Sequence, residues 1–142
     1  MSPGISISVV WFDEDILELR IGASNGRFAG EIEAYAPLDA CRQLADTLKG
    51  FPLNASDIRE FEVGTFDSNN AGGGARIRFH CTNGAGHAAA DISVRTDPQH
   101  VGGTSETASF SINIEAAAVD TFVQQLRDMR LEDGQSTHLS AV

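Results

Sequence analysis

Two Asn-Gly pairs, each flanked by segments that alternate apolar and polar residues, constrain this chain more than any other feature of its sequence. Ile5, Ile7, Val9 and Trp11, then Leu17, Leu19, Ile21 and Ala23, then Phe28, Gly30, Ile32 and Ala34 recur with a period of two, the pattern of half-buried strands. Asn25-Gly26 lies between the second and third runs. A two-residue type I′ turn there, in which both central residues take positive φ, sets Ala23 opposite Phe28, Ile21 opposite Gly30, Leu19 opposite Ile32 and Leu17 opposite Ala34. Each apolar residue then meets an apolar partner. On the other face Arg20 meets Glu31, an opposite-charge pair.

A second group of runs follows: Phe61, Val63 and Thr65; Ile77, Phe79 and Cys81; Ala88, Ala90, Ile92 and Val94; Ala108, Phe110, Ile112 and Ile114. Asn83-Gly84 repeats the hairpin signal. It pairs Phe79 with Ala88, Ile77 with Ala90, Arg76 with Asp91 and His80 with His87. Residues 67–74 and 96–105, rich in Asn, Gly, Ser and Pro, read as mobile connections.

Two amphipathic segments complete the pattern. Leu38, Cys41, Leu44, Ala45 and Leu48 form a helical stripe with Pro37 near its start, and Gly50-Phe51-Pro52 is a stop signal. Val119, Phe122, Val123, Leu126 and Met129 form a wider stripe over 116–130. The expected fold is α+β: an antiparallel sheet of about seven strands in two meanders, each followed by a helix, with both helices packed on one face. Residues 1–132 form a single domain in this reading, and 133–142, without periodicity, a disordered tail. Two helices of about 10 Å diameter do not cover a seven-stranded sheet about 30 Å wide. Either the sheet curls or part of a face is left for a partner.

Charge narrows the partner. Twenty acidic side chains oppose ten basic ones, a net charge of −10, which repels phosphate backbones and anionic lipid heads and fits either a basic protein partner or simple solubility. No run has the length and apolar character of a membrane span, and Met1-Ser2-Pro3-Gly4 does not open a secretory signal, so a cytoplasmic protein is expected. Cys41 and Cys81, far apart and on apolar faces, read as free thiols.

The densest polar constellation is on the second hairpin, where His80 and His87 face each other beside Arg78 and the Arg76–Asp91 pair. Two imidazoles are metal ligands, but zinc requires three or four protein ligands and no third presents itself, so a solvated strand face is the better reading. Gly72-Gly73-Gly74 leads into a strand rather than a helix and lacks a following Lys-Ser/Thr, so it reads as a flexible loop. Asp13-Glu14-Asp15 lacks the ligand spacing of a calcium loop. No Gly-x-Ser-x-Gly elbow is present. These observations assign no catalytic residue and no cofactor. The candidate binding face comprises Arg20, Glu31, Arg76, Arg78, His80, His87 and Asp91.

An N-terminal meander running into Glu31-Ile32-Glu33-Ala34-Tyr35 and a short helix, then strands, then a terminal helix led by Ile112-Asn113-Ile114-Glu115, resembles the small immunity proteins of bacterial polymorphic toxin systems, particularly the Wap type. The likeness is one of element order, size and acidity over most of the chain. It implies a non-enzymatic protein that binds and blocks a cognate toxin, and carries over no functional residue. The expectation is therefore a cytoplasmic protein-binding module. The alternatives are a small-ligand- or metal-binding domain using the His80/His87 face, and a homo-oligomer that buries its bare sheet face.

Overall fold

A computed structural model describes residues 2–67, 69–98 and 103–142. Among these the chain forms β1 (Gly4–Phe12), β2 (Leu17–Ser24), β3 (Ala29–Ala36), α1 (Ala40–Leu48), β4 (Ile58–Gly64), β5 (Gly74–Cys81), β6 (His87–Arg95), β7 (Thr107–Glu115), α2 (Ala116–Asp128) and β8 (Ser136–Ser140). The fold is α+β and antiparallel, but the strands divide into two four-stranded sheets, ordered β3-β2-β1-β8 and β4-β5-β6-β7. This replaces the single seven-stranded sheet expected from the sequence, and the eighth strand alters the expected order of elements.

Residues 136–140, expected to be part of a disordered tail, form that eighth strand. Leu139 pairs with Ile5 and Thr137 with Ile7, and both side chains are buried. The segment is too short to display a convincing period of two, and only its pairing with the β1 edge reveals it.

Both Asn-Gly hairpins form, and both differ in register by two residues from a type I′ turn. Ile21 pairs with Ile32 and Leu19 with Ala34; Ile77 pairs with Ile92 and Phe79 with Ala90. Neither Asn25 nor Asn83 takes the positive φ that the type I′ turn requires. Instead, Asn25 Oδ1 accepts hydrogen bonds from the Arg27 and Phe28 N–H groups, and Asn83 Oδ1 accepts one from Ala85. These Asx-type contacts widen each loop to four residues. A shift of two preserves which face each side chain occupies, so the apolar stripes still form the core, although Phe28 moves into the loop and is exposed.

The two sheets face each other across one core. Strand β3 touches all four strands of the second sheet and therefore runs across them. Its approach depends on small residues. A Cβ on Gly30 would come within 2.8 Å of Val94, and one on Gly73 within 2.5 Å of the Arg95 carbonyl oxygen and 2.8 Å of that of Glu33. The Gly73 N–H donates to Glu33 O at 2.9 Å. The glycine triplet, expected to be a flexible loop, is thus where the two sheets come together. The expectation of mobility in 67–74 and 96–105 falls partly outside the described residues, at Ser68 and 99–102.

Helices α1 and α2 pack on each other, with α1 against β4 and α2 against β7 and β8. They fill the opening between the sheets rather than lying on one face of a single sheet. Ile7, Leu19 and Ile21, Leu44 of α1, and Val63 and Ile77 line one small internal void of about 10 Å³, a size expected of a close-packed core. Helix α1 begins at Ala40, after a turn in which the Ala40 N–H donates to Pro37 O. Beyond it Gly50 takes a φ of 76°, and Phe51 packs edge-on to Phe79.

Candidate functional site

The outer face of the second sheet holds the densest polar array. Inward side chains such as Ile77, Phe79, Ile92 and Ile112 are buried, so pleat alternation turns Arg76, Arg78 and His80 of β5 outward with Glu60 and Glu62 of β4 and Asp91 and Ser93 of β6. The corrected register sets Arg78, not Arg76, opposite Asp91, and His80 opposite Ala89. Arg76 is engaged instead by Glu62 at 2.9 Å, and its guanidinium lies 4.0 Å from the centre of the Phe66 ring.

Asp91 is the hub. Its Oδ1 accepts the Ser111 hydroxyl at 2.6 Å, and its Oδ2 lies 3.0 Å from His80 Nε2 and 3.4 Å from Arg78 Nη1. Partial burial pushes the Asp91 carboxyl upward, but the Ser111 hydrogen bond and the His80 and Arg78 groups outweigh it, and the net shift is downward. Beside this hub is a shallow depression of about 470 Å³ lined by Glu60, Phe61, Glu62, Arg76, Arg78, Asp91 and Ser93.

Serine, aspartate and histidine meet here in the wrong order for nucleophilic catalysis. A triad needs the imidazole between the hydroxyl and the carboxylate, so that it can take the hydroxyl proton. Here the carboxylate stands between Ser111 and His80 and itself accepts the serine hydroxyl, so the imidazole does not reach the serine oxygen as a triad requires.

The two histidines do not face each other. His87 lies beside Asn83 at 2.8 Å and Glu115 at 3.6 Å, at the far end of the hairpin, while His80 turns to Asp91. Among the described residues no three His, Cys, Asp or Glu side chains converge as a metal set. Arg20 and Glu31 are on the outer face of the other sheet, across the core from the Asp91 array. The binding face expected from the sequence is therefore divided between two surfaces. Arg20 binds Glu33 at 2.8 Å and Glu31 only at 3.7 Å, because Glu33 is its register partner.

Two arrangements were not legible in the sequence. On the outer face of the first sheet, Ser6 Oγ and His138 Nδ1 are 2.7 Å apart, and His138 Nε2 is 3.3 Å from the Pro3 carbonyl oxygen. This serine–histidine pair needs β8, and so was hidden with it. The second imidazole nitrogen meets a backbone carbonyl rather than a carboxylate among the described residues, and Ser6 is within the β1–β2 and β1–β8 ladders. The second is a row of Trp11, Glu18 and Tyr35 across β1, β2 and β3.

The cysteines are half-buried free thiols, and burial pushes Cys41 up to about 11, far from the reactive thiolate range. No helix among the described residues is long and apolar enough to cross a membrane. No family model, no curated protein and no solved structure matches this chain.

Proposed function

We propose that this chain is a non-enzymatic protein-binding module that works in the cytoplasm, occupying and blocking a basic protein in the manner of the immunity proteins it resembles. The observation that carries this reading is the chemistry of the exposed sheet faces. Polar side chains there are committed to one another in the plane of the sheet, as Asp91 is to Ser111, His80 and Arg78, and Ser6 is to His138. Such faces offer shape and charge, which are the means of protein recognition. The net charge of −10 sets the sign of the partner.

The test is affinity capture from source-cell lysate at graded salt, identification of the retained protein, and reconstitution with that protein purified. The reading expects a basic partner that rebinds the purified chain directly and loses its activity in the complex. Retention of no protein at any salt would overturn it. Bound metal in the purified chain, lost on His80→Ala or His87→Ala substitution, would favour the ligand-binding alternative. A concentration-dependent increase in mass by light scattering would favour self-association.

A further inference from the structure

The only tryptophan of the chain is in an unexpected place. Alternation from Ile5, Ile7 and Val9 directs Trp11 into the core, yet it is 46% exposed. The cause is a β-bulge: Val9 pairs with Leu19, but the next pair is Trp11 with Glu18, leaving Val10 as the extra residue. The bulge turns the indole to the outer face of the sheet and returns Phe12 to the inward parity of its partner Leu17. Bulges re-aim side chains in this way, and here the result is a large aromatic group in water, which the core does not explain.

Glu18 also pairs with Tyr35 of β3, so Trp11, Glu18 and Tyr35 stand in one row with the carboxylate between two exposed aromatics. Tyr35 is held in place. Its ring lies against Gly72, where a Cβ would come within 2.9 Å of Cδ2. The Glu18 carboxylate beside it pushes its hydroxyl pKa up, followed by burial and a hydrogen bond to the same carboxylate. The nearest cation along β2, Arg20, is hydrogen-bonded to Glu33 and lies 3.7 Å from Glu31, and the Glu18 charge acts on it after both. At the end of the row, the turn between β1 and β2 carries Asp13, Glu14 and Asp15.

Resting on the protein-binding reading above, we propose that the Trp11–Glu18–Tyr35 row is the docking point for an arginine or lysine side chain presented by the basic partner. A cation seated over the row gains from the neighbouring ring quadrupoles, and the central carboxylate supplies the counter-charge. Tryptophan and tyrosine are also the residues that most often dominate protein interfaces, because they bring large area at low entropic cost. The acidic turn steers the approach.

Trp11 itself reports on the site. The full chain is titrated with an arginine-rich peptide free of aromatic residues, following indole emission and, in parallel, heat by calorimetry. The expected result is a saturable emission change that tracks the heat. Glu18→Gln and Tyr35→Ala should each weaken binding about tenfold, while Asp120→Asn on the exposed face of α2 leaves it unchanged. Circular dichroism checks that each variant is folded. Heat without an emission change, equal affinity in Glu18→Gln, or equal binding of a peptide with glutamine in place of arginine would overturn the docking row and leave the protein-binding reading standing. No heat with the peptide at low salt, together with a captured basic partner that binds Glu18→Gln as tightly as the parent chain, would also reject the row alone. Failure to capture any partner would remove both.

Discussion

Arg59 shows how a single side chain holds a connection that has no regular structure. Its Nη1 donates to the carbonyl oxygens of Thr47 and Lys49 at the C-terminal end of α1, at 2.8 and 3.1 Å. Its Nε and Nη2 clasp Asp57 at 2.9 and 2.8 Å. Asp57 in turn accepts the Leu53 N–H at 2.7 Å. The Arg59 hydrogen bond first, and the Leu53 N–H second, hold the Asp57 carboxyl below its ordinary range. A carboxyl depressed in the folded state stabilises fully above its unfolded pKa, and the contribution is lost as pH falls through the folded value. Asp57→Asn should therefore cost about 1 kcal/mol at neutral pH, with the difference from the parent shrinking in acid, measured by denaturant unfolding at both pH values. Arg59→Lys should not substitute, because an ammonium cannot reach the carboxylate and the helix end together. Gly64 is another position with a sharp expectation. At a φ of 75°, with a Cβ 2.1 Å from Gly73 O, Gly64→Ala should lower the unfolding midpoint by the equivalent of more than about 1 kcal/mol. The outward turn of Trp11 was equally hidden from the sequence, since a bulge leaves no trace in a pattern that continues through it.

Among the elements, alternation made seven of the strands legible, and stripes with stop signals made both helices legible, because each of these signals is local. What it did not give was register and strand order. Asn25 and Asn83 satisfied backbone N–H groups with their side chains instead of turning to positive φ, a competition between two uses of asparagine that the dipeptide alone does not decide. The two-residue shift separated His80 from His87 and moved Asp91 from Arg76 to Arg78, so Arg76, Arg78, His80 and Asp91 share a face in a different pairing, while Arg20 and Glu31 lie on the other sheet. Strand β8 tests the architecture most sharply. Its Leu139 is fully buried and its Thr137 hydroxyl donates to Gln125 of α2. Truncation after Gln135 should destabilise the chain by more than the ~2–5 kcal/mol expected of Leu139→Ala alone, as read by thermal unfolding. A tail without structure would be removed at no cost.

For the molecule as a whole, the division into two facing sheets changes what the acidic charge can do. A single open sheet would have presented one bare face, whereas this fold presents two, on opposite sides of a shared core. One carries the Asp91 array and the other the Trp11–Glu18–Tyr35 row. That division was not legible in the sequence, because it depends on β3 crossing the second sheet over Gly73 and on no local pattern. The charge, by contrast, is legible in the sequence itself, and recognition of a basic partner must carry its salt dependence. Calorimetric titration of the chain with its purified captured partner, at low and at physiological salt, should show a saturable complex whose affinity falls about tenfold or more as the salt rises. An affinity indifferent to salt, or an acidic partner, would refute charge-directed recognition of a basic protein.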